Sequence, residues 1–371
     1  MKIVHIVERD KFSSAWINYF KINFPNIVHY FMVRDSGNEE HPLNLIDNKN
    51  LILTPDYYIW FTNETVKKIM YDVDKIIVSG VFSTRFIFCN YDEVLYNKTY
   101  IQFWGGDFYD LRDDMDDNGN VKSDHNHWYL NCLQKCYAYI FSYYDDVQAF
   151  ENITKIKNHH YIMAYFPVPA DDGENKLFAD LQKSIINNDK KNKRIVVGNS
   201  ATKTNCHIEI FNKLSKYDWI HELEIVCPLS YGNEEEYRDY VIKVGYEKFG
   251  DKFKPITEYI SLTKYIELLN SCDVGVFNNN RQQGGSTIVY LTRLGKKVYI
   301  RDTISTYQST KKDGYAVFPI SDITSGISLN NFLNMDNKDR IKNIKLFEEK
   351  HKIRLKQWKV IFDERIFDFK I

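Results

Sequence analysis

Short apolar runs rich in Val, Ile, Tyr and Phe recur along the whole chain, and stretches with a helical spacing of apolar residues separate them. This alternation is typical of β–α–β units, in which crossover helices join parallel strands. The runs predicted to be strands are 2–7, 28–33, 75–79, 100–104, 137–142, 161–166, 194–197, 222–227, 273–277, 297–300 and 315–318. The sequence therefore predicts an α/β protein with two doubly wound, Rossmann-like parallel sheets.

The length of 371 residues exceeds what one ordinary hydrophobic core organises. Two polar stretches, PADDGENK and NNDKKNKR, interrupt the strand pattern near the middle and flank a short amphipathic segment. We expect a first domain over 1–170, a linker over 171–193 and a second domain over 194–335. The segment 336–371 is predicted to be a closing helix that packs back on the first domain.

Charge and apolar content narrow the classes of partner. Lysine and arginine total 49 residues against 50 acidic residues, which gives no electrostatic case for nucleic acid binding. The apolar runs fall short of the ~20 residues of a transmembrane helix, and the amino terminus lacks a secretory signal pattern. Six cysteines without a CxxC pair suit reduced thiols. The expected location is cytoplasmic.

The strand at 194–197 runs directly into GNSATKTN, and a helical apolar stripe follows. A helix start after a small polar turn offers backbone N–H groups to an anion. The candidate anion-binding residues of this turn are Gly198, Asn199, Ser200, Thr204 and Asn205. The competing interpretation is that Thr204 or Asn205 only caps the helix.

The stretch NNNRQQGGST repeats this arrangement after the strand at 273–277. Two glycines allow a ligand close to the backbone, an arginine offers a fork-shaped cation for phosphate, and glutamines suit a sugar or a base. The candidates are Arg281, Gln282, Gln283, Gly284, Gly285, Ser286 and Thr287. Because Walker and GxGxxG motifs are missing, ATPase and dehydrogenase interpretations lose support.

The strand at 100–104 ends in Trp104, Gly105 and Gly106, and Asp107 follows them. This order predicts a carboxylate at the carboxyl edge of the first sheet, where it could accept a proton from an incoming hydroxyl. The alternative is that Asp107 caps a helix.

Metal sites are not predicted. Asp114 and Asp116 match both the start of a calcium loop and a short DxD motif, but His125 stands where the calcium loop requires a bidentate glutamate. An acid-rich surface loop is the favoured interpretation.

The closing helix has an apolar stripe, and from Lys338 to Lys359 it carries nine basic residues against three acidic. A helix packed on the body with a solvated basic face is the simpler interpretation. The alternative is attraction to anionic lipid.

Several stretches together resemble the bacterial TDP-N-acetylfucosamine:lipid II N-acetylfucosaminyltransferases, glycosyltransferase family 56. They are IQFWGGDFYDL, YFPV, VGNSATKTNCHIE, VCPLSYGNEEEY and YIELLNSCDVGVFNNNRQQGGSTIVYLTRLG, and they cover roughly residues 100 to 300 in the family's order. The resemblance implies a GT-B enzyme, whose two Rossmann-like domains face a cleft. It implies an acceptor on the first domain, a TDP- or UDP-linked sugar on the second, and a metal-independent reaction without a cofactor.

The resemblance also assigns residues and a setting. His207 joins the residues of the turn after the strand at 194–197 as a donor-binding residue, Pro228 and Tyr231 resemble a wall of the nucleotide pocket, and Trp104 to Asp107 match the acceptor-side motif. The implied acceptor is a polyprenyl-linked glycan at the inner face of the membrane, in surface polysaccharide assembly, with an amino or deoxy sugar as the group transferred. The chain departs from the family pattern at Gly106 and at Gly285 and Ser286, which leaves the sugar open.

The mechanism predicted from these residues is an inverting transfer. Asp107 would deprotonate the acceptor hydroxyl, and Arg281 with the two helix starts would hold the leaving diphosphate. Two alternatives remain open at this point: a GT-B-like sugar-nucleotide epimerase and a non-catalytic sugar-nucleotide-binding protein.

Overall fold

The structure, a computed structural model, describes residues 1–35, 42–167, 172–186, 193–232 and 234–363. The chain divides into two compact units. The first unit comprises residues 1–169 together with 353–371, and the second comprises residues 170–352.

The first unit is built on a seven-stranded sheet with the order β3-β2-β1-β4-β5-β6-β7. Its strands are β1 (Lys2–Glu8), β2 (Val28–Arg34), β3 (Leu51–Thr54), β4 (Lys75–Ser79), β5 (Thr99–Gln102), β6 (Ala138–Phe141) and β7 (Tyr161–Met163). Its helices are α1 (Ser13–Asn23), α2 (Ile59–Thr62), α3 (Glu64–Asp72), α4 (Glu93–Tyr96), α5 (Gly106–Tyr109), α6 (Asp124–Lys135) and α7 (Tyr144–Thr154). Short 3-10 helices occupy Ser83–Asn90 and Asp110–Asp114.

The central strand β1 explains why this sheet is parallel and covered on both faces. It pairs in parallel with β2, where Ile3 opposes His29, and with β4, where Ile3 opposes Lys75. Successive residues of β1 are buried, so its side chains reach both faces of the sheet. A continuous apolar strand of this kind requires helices on both faces.

The second unit is built on a six-stranded parallel sheet with the order β10-β9-β8-β11-β12-β13. Its strands are β8 (Arg194–Val197), β9 (Glu224–Pro228), β10 (Phe253–Ile256), β11 (Val274–Phe277), β12 (Lys297–Ile300) and β13 (Phe318–Pro319). Its helices are α8 (Asp172–Ile186), α9 (His207–Leu214), α10 (Glu235–Phe249), α11 (Leu262–Ser271), α12 (Gly285–Arg293), α13 (Ser305–Lys312) and α14 (Leu329–Leu333). Short 3-10 helices occupy Lys203–Asn205, Asp218–Glu222, Gly250–Lys252 and Ile320–Asp322.

The predicted α/β class with two parallel sheets is confirmed. Two strands escaped prediction, β3 and β10, and each lies at an edge of its sheet. Both are four residues long, only part of each is buried, and β10 contains Pro255. Edge strands need only one apolar face and tolerate proline, so their sequences lack the apolar run that marks the central strands.

The segment expected to be a linker contains α8, a helix of 15 residues, while residues 171 and 187–192 of that segment lie outside the described part of the chain. Phe178 of α8 is fully buried and contacts the ring of Tyr290. The Asn175 side chain also accepts a hydrogen bond from Arg293. This helix therefore packs within the second unit and does more than connect the two units.

The long helix α15 (Asn337–Phe362) ends in the first unit. There Trp358 is fully buried, its ring lies 5.4 Å from that of Trp16 and 4.8 Å from that of Phe20, and its indole N–H donates to the carbonyl of Tyr165. Residues 364–371 of the predicted closing segment lie outside the described part of the chain. Within the described residues, no helix combines the length and apolar character needed to cross a membrane.

Candidate functional site

The two loops singled out in the second half of the sequence lie side by side. Strands β8 and β11 are hydrogen-bonded neighbours, with Val197 opposite Val276, and the chain order reverses between them. We call this position the switch point of the second unit. Ligands of open α/β sheets bind at the carboxyl ends of strands at such a reversal. The loops 198–205 and 278–284, named here the first and second donor loops, both leave the sheet at this edge.

Two glycines allow close packing within and between the donor loops. Gly198 has a φ of +71°, and a Cβ there would meet the His207 ring nitrogen at 2.5 Å. Gly284 has a φ of +73° and precedes α12, and a Cβ there would meet the side-chain oxygen of Asn199 at 3.0 Å. Side chains other than glycine are strained at such φ values. The sequence thus needs glycine at both positions.

Gln283 joins the two donor loops. Its Nε2 donates to Ser200 Oγ at 2.9 Å and to Thr202 Oγ1 at 3.0 Å. Its Oε1 accepts from Thr204 Oγ1 at 2.6 Å and from Asn279 Nδ2 at 3.3 Å. Because both ends of the amide are engaged within the protein, Gln283 holds the loops in register. The sequence predicts that Gln283 binds the sugar, and this role stays a prediction.

Asn205 organises the first donor loop from within. It is 1% exposed, its Oδ1 accepts from the backbone N–H of Asn199 at 2.9 Å, and its Nδ2 donates to Ser200 Oγ at 2.9 Å. The α9 helix has no side-chain cap, since its N-cap residue is Cys206 in the left-handed conformation. Asn205 and Thr204 therefore serve the loop itself, and the competing interpretation of either as the cap of α9 does not describe the structure.

His207 packs against the first donor loop and is fully buried. The Tyr237 hydroxyl accepts from the backbone N–H of His207 and lies 3.2 Å from its Nδ1. Burial lowers the pKa of His207 to about 3, so the ring is neutral. His207 therefore acts as a neutral, buried support for the first donor loop.

The second donor loop carries the remaining candidates. Arg281 is half-buried, and its Nη1 donates to the carbonyl of Gln282 at 3.1 Å. Among the described residues, the side-chain oxygens of Gln282 and of the fully buried Asn279 have no hydrogen-bond partner. Unpaired buried oxygens of this kind are costly unless a ligand donates to them.

The start of α12 contains Gly285, Ser286 and Thr287. Gly285 and Ser286 are half-buried, and Thr287 is nearly buried, with its hydroxyl 2.9 Å from that of Tyr265 on α11. Tyr265 was not expected from the sequence, because nothing in its local pattern links it to a loop twenty residues away.

The two residues assigned to the nucleotide wall differ in exposure. Pro228 ends β9 and is buried, whereas Tyr231 is 48% exposed. The carbonyl of Tyr231 accepts from the backbone N–H of Ala201 at 2.6 Å. This contact ties the loop after β9 to the first donor loop and leaves an exposed aromatic side chain beside it.

In the first unit, Asp107 is 1% exposed and lies in the first turn of α5. Its Oδ2 accepts from the backbone N–H groups of Val81 at 3.2 Å and of Trp104 at 3.1 Å, and its Oδ1 also accepts from Trp104 at 3.1 Å. The carboxylate thus bridges the loops after β4 and β5. Burial raises the pKa of Asp107 to about 6, although these N–H groups act to lower it.

Trp104 lies next to this bridge and is half-buried. Its indole N–H donates to Ser79 Oγ at 3.1 Å, and its ring contacts those of Phe12 and Phe166 at 5.2 and 5.0 Å. Gly105 precedes α5, and Gly106 begins it. The four residues expected on the acceptor side therefore form one turn at the carboxyl edge of the first sheet.

The acid-rich stretch is an ordinary turn. Asp114 Oδ2 accepts from Ser123 and Asn126, and Asp116 Oδ1 accepts from the backbone of Asn118 and Asn120. These hydrogen bonds lower the pKa of Asp114 to about 2. Within the described residues, no three His, Cys, Asp or Glu side chains are grouped as metal ligands would be.

The fold is that of GT-B glycosyltransferases. The chain is similar to trehalose-6-phosphate synthase OtsA, at 12% identity over 99% of this chain and 100% of that one, with a TM-score of 0.64. It is similar to a glycosyltransferase from Rickettsia africae, at 13% identity over 97% of both chains and a TM-score of 0.62. It is also similar to HepE from Anabaena in complex with UDP and glucose, at 12% identity over 98% and 96%, with a TM-score of 0.59.

The family follows from the sequence profile. Residues 51–353 match the family described as 4-alpha-L-fucosyltransferase, glycosyl transferase group 56. The chain belongs to this family, and the resemblance noted in the sequence is confirmed. The protein is accordingly a hexosyltransferase-type glycosyltransferase.

Proposed function

We propose that the second unit binds a nucleoside-diphosphate sugar, TDP- or UDP-linked, and that its hexosyl group is transferred to a glycan acceptor held by the first unit. The observation that carries this proposal is the pair of donor loops at the switch point, joined through Gln283. HepE, which shares the fold, is described in complex with UDP and glucose. A nucleotide sugar at the equivalent edge of this sheet is consistent with that fold.

The leaving diphosphate requires positive charge and N–H donors. Arg281 of the second donor loop supplies the charge, and the starts of α12 and α9, which follow the two donor loops, supply N–H groups. We propose that they stabilise the diphosphate without a metal ion or any other cofactor. The side chain of Gln282, a half-buried residue of the second donor loop, would hydrogen-bond to the sugar or the base.

We propose that the transfer inverts the anomeric centre. Residues 198–205 and 278–287 contain no Asp or Glu, so a covalent glycosyl–carboxylate intermediate has no nucleophile in the donor loops. A single displacement by the acceptor hydroxyl is the simpler route. Analysis of the product linkage by NMR checks this step.

The role of Asp107 as the base stays a prediction. Its pKa of about 6 suits proton uptake from a hydroxyl near neutral pH. Its oxygens, however, already accept backbone hydrogen bonds and are nearly inaccessible. We therefore propose that Asp107 holds Trp104 and the turn before α5 in place for the acceptor, whether or not it also takes the proton.

We also propose a peripheral contact with anionic membrane lipid at the cytoplasmic face, which would present a polyprenyl-linked acceptor. Exposed lysines of α15 recur at steps that keep them on one helix face, interrupted by Glu349. They are Lys338, Lys342, Lys345, Lys352, Lys356 and Lys359. Clustered lysines attract anionic lipid by roughly 1 kcal/mol each near a membrane surface.

Vesicle sedimentation tests the membrane contact. Replacing Lys345, Lys352 and Lys356 with Glu should abolish binding to phosphatidylglycerol vesicles. Replacing the exposed Lys243, Lys254 and Lys264 of the second unit should preserve it. Equal binding by the two triple variants would refute the α15 contact. That result would not bear on the proposed transfer reaction.

Donor binding is tested by thermal shift against a panel of TDP- and UDP-sugars, because a ligand that binds only the folded state raises the apparent stability. Arg281→Ala should remove the shift produced by the preferred donor. Arg238→Ala, at a partly exposed arginine beside Asp239 on α10, is the matched control. If Arg281→Ala shows an unchanged donor affinity, Arg281 does not bind the diphosphate.

Product analysis separates the remaining alternatives. Donor together with a polyprenyl-linked glycan should give a glycosylated lipid. Conversion of the donor alone to another sugar nucleotide would indicate an epimerase. Donor binding without turnover under either condition would indicate a non-catalytic sensor.

A further inference from the structure

A pocket of about 280 Å³ lies at the carboxyl edge of the first sheet, apart from the turn that carries Asp107. It is formed by the end of β2, the segment after β3 and the 3-10 helix Ser83–Asn90 that follows β4. Its volume is close to the lower limit of ~300 Å³ for small-molecule sites. It therefore suits one compact ligand unit, such as a single sugar ring.

The lining combines two aromatic planes with polar groups of both kinds. Tyr58 and Phe86 are 62% and 52% exposed, so both rings are accessible to a ligand at the pocket. Arg34 offers donors, Asp56 offers acceptors, and Asn90 offers both. Exposed aromatic faces next to convergent polar groups are typical of a binding site.

The Arg34 side chain is fixed by its neighbours. Glu8, at the end of β1, accepts from Arg34 at 3.0 Å and from the Tyr57 hydroxyl at 2.6 Å. The guanidinium also stacks on the Tyr57 ring, with 5.0 Å between its carbon and the ring centroid. Because a carboxylate and an aromatic face both constrain it, Arg34 lines the pocket in a defined orientation.

We propose that this pocket is a subsite for a neutral saccharide unit of the acceptor glycan, and this inference rests on the proposed transfer to a glycan. A sugar ring presents C–H faces to aromatic planes and hydroxyls to donors and acceptors. A phosphate would meet the Asp56 carboxylate, and a prenyl chain would take the polar groups of Arg34, Asp56 and Asn90 out of water without hydrogen bonding to them. The mixed lining favours a saccharide over either.

Acceptor kinetics test the subsite. Tyr58→Ala and Phe86→Ala should each raise the KM for the glycan acceptor about three- to tenfold, as expected for loss of one aromatic contact. The kcat and the donor affinity should stay unchanged. Tyr144→Ala, at a 48% exposed tyrosine on α7 of the same unit, is the control and should leave the acceptor KM unchanged.

Binding measured without turnover makes the test independent of catalysis. Saturation-transfer NMR with a panel of p-nitrophenyl hexosides and N-acetylhexosaminides should give sugar-ring signals with the wild-type protein. These signals should be lost in the double variant Tyr58→Ala/Phe86→Ala and kept in Tyr144→Ala.

The outcomes distinguish this inference from the proposed function. Normal transfer, with an unchanged acceptor KM and unchanged NMR signals in the Tyr58 and Phe86 variants, would overturn the subsite alone. A wild-type protein that never transfers sugar to a glycan would overturn the proposed function. In that case, loss of the NMR signals in the double variant would still establish a saccharide site at this pocket.

Discussion

The turn before α5 in the first unit and the donor loops in the second lie at equivalent edges of their sheets but are held by different chemistry. One buried carboxylate, Asp107, accepts backbone hydrogen bonds from two loops in the first unit. In the second unit a neutral amide, Gln283, links hydroxyls and an amide across two loops. The first arrangement depends on a single buried group, whereas the second spreads its hydrogen bonds over several side chains.

The largest effect is expected from Asp107→Ala. It leaves the backbone N–H groups of Val81 and Trp104 without their acceptor in a buried turn, at about 1–3 kcal/mol for each group. Urea unfolding followed by tryptophan fluorescence measures the loss. Five of the six tryptophans belong to the first unit, so the signal reports mainly on that unit.

Asp107→Asn separates the positioning role from the base. It keeps one acceptor oxygen, so we expect a smaller loss of stability than for Ala. If Asp107 is only a positioning residue, kcat should fall in proportion to the loss of the folded turn and keep its pH profile. Complete loss of turnover with unchanged stability and donor binding would instead support the base assignment.

The stability of the first unit should also depend on pH through Asp107. Because the folded pKa of Asp107 is about 6 and the unfolded value is about 3.9, the native state binds more protons between these values. The contribution of Asp107 to the free energy of unfolding should therefore be largest below about pH 4. It should decline by up to about 3 kcal/mol as the pH rises to about 6.

Asp107→Asn isolates this effect. Buried His5 and His29 have lowered pKa values, so the unfolded state takes up their protons first, and they destabilise the first unit as the pH falls. Both histidines are present in the wild type and in Asp107→Asn, so their effects cancel in the difference between the two free energies of unfolding. The stability of the wild type relative to Asp107→Asn should decrease from pH 4 to pH 6 and stay constant above. A pH-independent difference would contradict the raised pKa.

A more moderate effect is expected from Gln283→Ala. It removes the link between the donor loops at about 0.5–1.5 kcal/mol per hydrogen bond, while the hydroxyls of Ser200 and Thr204 keep their hydrogen bonds within the first donor loop. Donor affinity should fall roughly tenfold, while global stability changes little. Calorimetric titration with the preferred nucleotide sugar measures this.

Gln308→Ala is the control, since Gln308 is exposed and its side chain donates to the backbone carbonyl of Asp302. If Gln283→Ala loses global stability as severely as Asp107→Ala, the contrast between the two units fails.

The smallest structural effect is expected from Tyr231→Ala. Its contact with the first donor loop is made by the backbone carbonyl, and the side chain is 48% exposed. Stability should change by no more than about 0.5 kcal/mol. A severalfold loss of nucleotide affinity without loss of stability would support its predicted place in the nucleotide wall, and unchanged affinity would remove it from the site.

Much of the fold follows from local sequence. The central strands are predicted well because a strand buried on both faces needs a continuous apolar run, which stands out in the sequence. The edge strands β3 and β10 were missed because an edge needs no such run. The helix α8 was mistaken for linker because polar residues flank it, while the burial of Phe178 depends on Tyr290, which lies far away in the sequence.

The sequence by itself determined the α/β class, the family and the two loops at which a donor is expected, because periodicity, glycines and motif order are local properties of the chain. Only the tertiary structure decided what individual side chains do. Gln283 bonds to residues about eighty positions earlier, and Asp107 bonds to Val81 across two strands. Partners so distant in sequence leave no local pattern, since strand order in the sheet brings them together.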